Sequence, residues 1–351
     1  MKKLKNNGIT IVDFFCGAGI GAIGAEYAGF ESIFAFDNNP HAVKTYNRNL
    51  NPVAECLDIK KDEFKIPWAN IFTGGFPCQP FSFFGKGLGK NDLLKGDLGE
   101  IFSYHILNIE PDAFLIENVK GIIQKKNISY FEELINILSL KYNVSWKLIN
   151  CTDYGVPQKR ERVFVVGFHK KYNKVFNFIN QNNKIVNVKE ALQGLSRVPD
   201  DKNNHYNNDK FKVRNDERPF VHKVPIGGNW KDLPVEDQKA FMKKGYYSGG
   251  GRTGALWKVD PDKPSKTILS TPMGKATAQI LDWEMYDGSI GYSDPRRFTV
   301  RESLRLQTVP DSFSFGEDIS INKQYERCSG IPSIVEYKLL LEIKKQLFDL
   351  L

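Results

Sequence analysis

Cys78 stands in the run Gly74-Gly75-Phe76-Pro77-Cys78-Gln79-Pro80-Phe81-Ser82, directly after an apolar segment that reads as a strand. Two prolines stiffen the backbone beside this thiol, so it is positioned on a rigid turn at a strand's C-terminal end, where α/β sheets bind ligands. The competing reading is a buried cysteine serving as a small apolar residue. Glu117-Asn118-Val119 closes the next clear strand. A carboxyl there, partly withdrawn from water, can hold a proton at neutral pH; the alternative is a solvated strand-end acid. Gln158-Lys159-Arg160-Glu161-Arg162 leads into the strand Val163-Phe164-Val165-Val166. Alternation puts Gln158, Arg160 and Arg162 on one face, and a charged edge strand that resists aggregation is the other reading.

Near the N-terminus, Asp13-Phe14-Phe15-Cys16-Gly17-Ala18-Gly19-Ile20-Gly21 joins a strand to a helix. Glycines there let the backbone pass close to a ligand, and the helix start offers free N–H groups. Gly24 completes a GxGxxG pattern from Gly19, and Asp37 ends the second strand, where a carboxylate can grip ribose hydroxyls. That arrangement serves a nicotinamide dinucleotide and S-adenosylmethionine alike, so this half of the chain points to a nucleoside-containing cofactor.

The elements that must position these residues alternate between strand and helix. Thr10-Ile11-Val12-Asp13-Phe14-Phe15 reads as a buried strand, with a helix following through 25–28. Ser32-Ile33-Phe34-Ala35-Phe36 is the next strand, and Pro40 opens a helix to about Asn49. Ala69-Asn70-Ile71-Phe72-Thr73 and Ala113-Phe114-Leu115-Ile116 are further continuous apolar strands. Strands without polar alternation belong to a sheet covered on both faces, so the pattern predicts a doubly wound α/β domain. Segments 145–150 and 163–168 are expected to pair near a sheet edge. After about residue 170 the texture turns polar, with Asn and Lys dominating 171–187 and Pro, Gly and isolated aromatics punctuating 219–275. A smaller, loop-rich domain is expected there. Helices are expected again over 299–306 and 334–350. The domain boundaries read as 1–184 plus 311–351 for the large domain and 185–310 for the small one.

The chain has 351 residues, 41% hydrophobic and 26% charged, which excludes disorder and coiled coil as descriptions of the whole. No stretch approaches the roughly 20 apolar residues that span a bilayer, and the basic N-terminus lacks a signal peptide's apolar core; a cytoplasmic, nucleoid-associated protein is expected. The five cysteines contain no CxxC pair, so neither a disulfide framework nor a structural metal site is expected. The net charge is +8, and residues 185–275 carry 17 Lys/Arg against 11 Asp/Glu. Such a surplus favours a polyanionic partner, though a generic lysine-rich surface gives the same count.

Taken together the motifs resemble the DNA cytosine-5 methyltransferases of bacterial restriction–modification systems. The resemblance rests on the glycine turn from Asp13, on Pro77-Cys78-Gln79-Pro80-Phe81-Ser82, on Glu117-Asn118-Val119 and on Gln158-Lys159-Arg160-Glu161-Arg162. It extends to Arg297-Phe298-Thr299-Val300-Arg301-Glu302-Ser303-Leu304-Arg305-Leu306-Gln307 and spans about 9–340. It implies a Rossmann-like S-adenosylmethionine-dependent methyltransferase domain and a smaller DNA-recognition domain. Cys78 is the implied nucleophile toward carbon 6 of a flipped cytosine, with Glu117, Arg160 and Arg162 as the other catalytic residues. Phe15, Gly17, Gly19, Asp37, Asp58, Ile59, Pro77 and Leu98 are the implied cofactor contacts, and S-adenosylhomocysteine is the product. Duplex DNA is the implied partner, contacted through Ser82, Lys86, Gln158 and Arg252, with no metal. The resemblance further implies a monomer, a lid over 81–99 and pairing with a cognate restriction endonuclease. In the small domain the aromatics Trp230, Tyr246, Tyr247 and Trp257 are candidates for DNA contact, with the domain core as the alternative for at least half of them.

The chain departs from the family pattern at three places. Asp37 stands for the usual Glu, Lys95 for an arginine after the loop, and Gly330 for an asparagine that helps close the cofactor pocket. The alternatives are a tRNA cytosine-5 methyltransferase on the same fold and a DNA-binding homologue impaired in transfer. A nicotinamide-dependent oxidoreductase leaves Cys78 and the arginine run unexplained.

Overall fold

The computed structural model describes residues 1–77, 98–181, 184–195, 211–247, 255–270, 278–286 and 289–349. Cys78, Ser82, Lys86, Lys95 and Arg252 therefore lie outside the described residues, as does most of the expected lid.

In chain order the first elements are β1 (Thr10–Phe14), α1 (Ile20–Tyr27), β2 (Glu31–Asp37), α2 (Pro40–Asn49) and β3 (Ala54–Cys56). Then come β4 (Ile71–Gly74), α3 (Leu98–Ile109), β5 (Ala113–Val119), α4 (Ile128–Leu138), β6 (Tyr142–Asn150), β7 (Gln158–Lys159) and β8 (Glu161–His169). Short helices α5 (Val188–Leu192), α6 (Arg218–Val221), α7 (Val235–Met242) and α8 (Lys244–Tyr247) follow. The last elements are β9 (Trp257–Lys258), β10 (Ser265–Lys266), β11 (Gln279–Tyr286), β12 (Ser289–Arg297), α9 (Val300–Leu306), α10 (Ile321–Glu326) and α11 (Ser333–Phe348).

The chain divides into two units. The first comprises Met1–Tyr154, Arg160–Asn183 and Ile331–Leu351. Its seven-stranded sheet has the order β3-β2-β1-β4-β5-β8-β6. The pairings β3/β2, β2/β1, β1/β4 and β4/β5 are parallel, and β8 runs antiparallel to both β5 and β6. The expected pair 145–150 and 163–168 is therefore β6 against β8, with β6 at the edge. Strand order reverses between β1 and β4, which opens a crevice at the carboxyl ends of the parallel strands.

Apolar residues on both sides of each strand explain the two covered faces. Phe34 and Phe36 join Phe14, Phe72, Phe102 and Phe131 in one buried cluster, which includes α3 and α4. Ala35, between them, turns to the other face and packs with Ala22, Val43 and Tyr46 of α1 and α2. Asn39 starts α2 by accepting from the backbone N–H of His41 and Ala42, both at 3.1 Å, and Pro40 supplies the preset first turn. The C-terminal α11 lies against α1. A Cβ on Gly24 would come within 2.1 Å of the Ser333 carbonyl oxygen, so glycine is what permits this approach. Ser333 Oγ donates to the Ile20 carbonyl at 2.6 Å across the same crossing.

The second unit comprises Gly155–Lys159 and Lys184–Gly330. It has a three-stranded sheet, β12-β11-β9, and a two-stranded one, β10-β7. Its core gathers Val221, Val224, Trp230, Leu233, Phe241, Leu256 and Ile280. Trp230 is thus a core residue and Tyr246 packs against that core, whereas Tyr247 is exposed and Trp257 half-buried.

The late motif is a buried polar joint in this unit. Thr299 and Glu302 form a reciprocal cap at the start of α9. Arg296 reaches Glu302 at 2.7 Å, and Arg297 reaches Glu217 at 2.6 Å. Buried guanidinium groups need such carboxylates to offset their desolvation. Segment 311–330 belongs to this unit and not, as the sequence suggested, to the larger one. The reason is hydrogen bonding: Tyr325 donates to the Phe298 carbonyl at 3.0 Å, and Gln307 donates to the Cys328 carbonyl at 2.9 Å. Residues 155–159 also belong here, because β7 pairs with β10. Among the described residues no helix is long and apolar enough to cross a membrane.

Candidate active site

The carboxyl ends of β1, β2, β4 and β5 lie along one edge of the first unit's sheet, and among the described residues Phe15, Gly17, Asp37 and Glu117 lie at or just beyond these strand ends. At the end of β1 the chain turns sharply. Phe15, Gly17 and Gly19 have φ of 56°, 55° and 81°. Glycine tolerates the left-handed region, but a phenylalanine there stores strain on the order of 1–3 kcal/mol. The turn is held by Cys16 N–H donating to the Phe36 carbonyl at 3.0 Å and Gly17 N–H donating to Asp37 Oδ2 at 3.0 Å. Gly19 is glycine for a second reason, since a Cβ would meet Leu50 Cδ1 at 2.6 Å. Phe15 sets its ring edge-on to Phe102 and tilted to Phe14 and Phe36, so it forms the end of an aromatic wall.

Asp37 receives one backbone N–H on each carboxylate oxygen, from Gly17 and, at 2.9 Å, from Asn39. That fixes the carboxylate while each oxygen keeps a lone pair for a ligand hydroxyl. Asp58 is held by the Lys60 N–H at 3.0 Å and by Lys61 at 3.2 Å, and these contacts keep its carboxyl below the ordinary aspartate range. Ile59 and Leu98 pack on the large aromatic cluster, and Pro77 is exposed. A strained glycine turn, an anchored acid and an apolar wall fit a nucleoside-bearing ligand.

Beneath the turn lie two buried carboxyls. Asp13 accepts from Thr73 Oγ1 at 2.9 Å, and burial raises its pKa to about 7, with Asp37 adding a smaller push. Glu336 of α11 is 3% exposed, and its pKa is raised well above the usual glutamate value by burial first, then by Asp13 and Glu117. Its carboxyl fills the space left by Gly21, where a Cβ would approach Glu336 Oε2 to 2.0 Å. Nothing in the sequence marked Glu336, since an acid in the first turn of a helix ordinarily reads as an exposed dipole partner.

Glu117 lies near the end of β5, which pairs with β8 in a register that sets Val119 opposite Arg162. Glu117 Oε1 sits 2.9 Å from Arg162 Nε, both side chains being 13% exposed. The contact lies off the N–H direction, so neither atom has a directed hydrogen bond. An enclosed polar atom with unspent capacity costs about 1–3 kcal/mol unless something else satisfies it. Arg160 is buried beside them, and burial, followed by the charge of Arg162, lowers its pKa to about 10. Cys151 is buried in the same place, and burial pushes its thiol up to about 12. That thiol is held in its neutral, unreactive form.

The segment leading to Cys78 passes directly over this group. A Cβ on Gly75 would stand 3.0 Å from Glu117 Oε2, and one on Gly74 would stand 2.8 Å from the Phe14 carbonyl oxygen. Asn118 Nδ2 donates to the Phe76 carbonyl at 3.3 Å, fixing the backbone two residues before Cys78. Asn118 was part of a motif in the sequence, but its bracing role is visible only in three dimensions.

Exposure alternates over 158–162, with Gln158 and Arg160 buried and Lys159 and Glu161 exposed. Gln158 belongs to the second unit and its amide is committed there. Nε2 donates to the Leu306 carbonyl at 2.7 Å and to Gln307 Oε1 at 3.0 Å, and Oε1 accepts from the Ile268 N–H at 3.0 Å. Both amide protons are spent, leaving no side-chain donor for a nucleic acid. Among the described residues no group of three or more His, Cys, Asp or Glu side chains is arranged to hold a metal ion.

Comparison with known proteins agrees with this geometry. Residues 9–345 match the family described as C-5 cytosine-specific DNA methylase. The type II methyltransferase M.MthTI of Methanothermobacter thermautotrophicus is 34% identical, over 97% of this chain and 98% of that protein. M.Eco47II of Escherichia coli is 33% identical over 89% of this chain and 73% of its own length. Among solved structures, a DNMT2 mutant of Spodoptera frugiperda superposes with a TM-score of 0.66 at 16% identity, covering 95% of this chain and 99% of that one. A putative DNA modification methyltransferase from an E. coli prophage gives 0.64 at 21% identity, covering 97% and 99%. At these identities the structural likeness speaks to the fold, a Rossmann-like methyltransferase architecture.

Proposed function

The chain belongs to the C-5 cytosine-specific DNA methylases, and from that premise we propose how its residues divide the reaction. It is a DNA (cytosine-5) methyltransferase of the kind found in type II restriction–modification systems. S-adenosylmethionine supplies an electrophilic methyl group on a sulfonium sulfur. Phe15, Gly17 and Gly19 hold its methionine part, Asp37 its ribose, and Asp58 with Ile59 its adenine, with Pro77 and Leu98 as apolar contacts. The strained turn and the doubly anchored Asp37 support this assignment.

Carbon 5 of cytosine is too weak a nucleophile to take a methyl group unaided. In our reading the base leaves the duplex, because its ring carbons are out of reach inside the stack. Cys78 adds as thiolate to carbon 6, and its electron pair turns the ring into an enamine nucleophilic at carbon 5. Glu117 hydrogen-bonds or protonates N3 as that charge develops, while Arg162 and Arg160 steady O2. Carbon 5 then takes the methyl group as the donor's carbon–sulfur bond breaks, the electron pair staying on sulfur to leave S-adenosylhomocysteine. Loss of the carbon-5 proton and departure of the Cys78 thiolate restore the aromatic ring. The reading is carried by one observation: Glu117 Oε1 and Arg162 Nε face each other at 2.9 Å without a directed bond, under the segment that leads to Cys78.

The substrate is duplex DNA at a specific sequence, the protein acts as a monomer in the cytoplasm, and protection of host DNA from a cognate endonuclease is its role. Incubation with tritiated S-adenosylmethionine and either duplex DNA or tRNA tests this. Label entering DNA alone supports the proposal; label entering tRNA, or neither, refutes it.

A further inference from the structure

Within the second unit, β7 and β10 pair in parallel with Lys159 directly opposite Lys266. Neighbouring strands lie about 5 Å apart, and like charges placed opposite each other repel. Four other lysines of this unit have carboxylate partners, Lys189 with Asp262, Lys223 with Asp237, Lys258 with Asp282 and Lys263 with Asp260, while Lys231 and Lys239 lie over aromatic rings; Lys159 and Lys266 differ from all of these in standing opposite each other on paired strands. Among the described residues no carboxylate forms an ion pair with Lys159 or Lys266. Two adjacent positive charges of this kind raise the local potential and favour an anion between them.

The pair is also built to stay in place. Lys266 Nζ lies 3.5 Å from the centroid of the Trp257 ring, close enough for the ring's negative face to hold the ammonium. Burial, followed by the charge of Lys159, lowers the pKa of Lys266. The backbone beneath is braced on both strands. Thr267 Oγ1 donates to the Lys159 carbonyl at 2.6 Å, and Ser265 N–H donates to the Pro157 carbonyl at 3.0 Å. Gln279 accepts from the Lys266 N–H at 2.8 Å and donates to its carbonyl at 3.0 Å. The buried Gln158 amide locks the residue before Lys159 in the same way. Gln158 thereby positions Lys159, with both of its amide protons used within the protein.

We propose that Lys159 and Lys266, backed by Trp257, together seat one phosphodiester of the DNA backbone. The proposal rests on the DNA-methyltransferase reading above. Two ammonium groups facing one anion neutralise a single phosphate, so the site contributes affinity and register without reading sequence.

The test is the salt dependence of duplex DNA binding by fluorescence anisotropy, for the full chain and for Lys159→Gln, Lys266→Gln and the double variant. Each neutralised phosphate adds about 0.9 to the slope of log affinity against log salt. Because the two lysines share one phosphate, the double variant is expected to lose about 0.9 from that slope, not about 1.8. Between 50 and 200 mM salt its affinity then falls about 3- to 4-fold less than that of the parent. Lys266→Arg keeps the slope, and unchanged S-adenosylmethionine binding in the double variant shows that it is folded. An undiminished slope in a folded double variant overturns the proposal while leaving the function intact. A loss near 1.8 also overturns it, since two separate phosphates are then held. Calorimetric titration with inorganic phosphate alone distinguishes the source: no uptake at millimolar concentration supports DNA, and uptake abolished by the double variant assigns the seat to free phosphate and overturns the proposal. If the parent protein neither binds nor methylates duplex DNA, the functional reading falls and this proposal with it.

Discussion

Replacing Gly24 with alanine tests what the glycine pattern near the N-terminus is for. On helix propensity alone the change stabilises α1 by about 1 kcal/mol. The structure predicts the opposite sign. The new Cβ stands 2.1 Å from the Ser333 carbonyl oxygen, 2.8 Å from the Tyr337 nitrogen and 3.1 Å from the Ser333 carbonyl carbon. All three are backbone atoms of the segment that forms α11, so no side-chain rotation relieves the clash. The two helices must separate by about 1 Å, and overpacking of this kind costs typically 1–3 kcal/mol or more. Separation also weakens the 2.6 Å bond from Ser333 Oγ to the Ile20 carbonyl, worth about 1 kcal/mol. The net expectation is a loss of about 2 kcal/mol or more after the propensity gain is subtracted. Thermal denaturation followed by circular dichroism reads it directly, and a Tm lower by about 3 °C or more is expected. Because α1 carries the glycine turn, titration calorimetry should also show weaker S-adenosylmethionine binding. A Tm equal to or above that of the parent refutes the claim that Gly24 exists to let two helices touch.

Asp13→Asn keeps an acceptor for Thr73 but removes a carboxyl whose pKa is raised to about 7. A raised acid binds its proton more tightly in the folded chain, so its stabilisation is full below about pH 4 and is lost as pH rises through 7. Relative to the parent, the variant should therefore gain stability across that window, by at most about 4 kcal/mol; parallel denaturation curves at all pH values contradict this. Glu117→Gln preserves shape and removes the acid, and should lower methyl transfer by about 10²- to 10⁴-fold with little change in stability; near-parental turnover removes Glu117 from the mechanism. Asn118→Ala frees the Phe76 carbonyl, and should lower turnover more than cofactor affinity, at a stability cost of about 1 kcal/mol; a purely structural role would leave turnover per folded molecule unchanged.

Much of the fold was legible because burial on both faces writes itself into the strands. The runs around Val12, Phe34, Phe72 and Phe114 have no polar alternation, and each became a strand of the central sheet. Pro40 and Thr299 marked helix starts because the chemistry of a first turn is local. That Glu117, Arg160 and Arg162 would come close together was legible for a different reason: they sit near strand ends, where sequence position and spatial edge coincide. What could not be read are features made by distant segments. Glu336 fills a space left by Gly21, more than three hundred residues earlier in the chain. Gln158 looked like a surface polar residue until Leu306, Gln307 and Ile268 closed around it. The 311–330 segment lacks a run that would tie it to either unit, and side-chain contacts such as those of Tyr325, Gln307 and Arg305 assign it.

The central claim is that the Cys78 sulfur forms a bond to cytosine. Duplex DNA in which every cytosine carries fluorine at carbon 5 presents any recognition sequence in trappable form, since fluorine cannot leave as a proton does. Incubation with S-adenosylmethionine should yield a protein–DNA complex that survives denaturation, and mass spectrometry of its digest should place the link on the peptide containing Cys78. A link at Cys16, Cys56, Cys151 or Cys328, or no link from an enzyme that methylates ordinary DNA, contradicts the account.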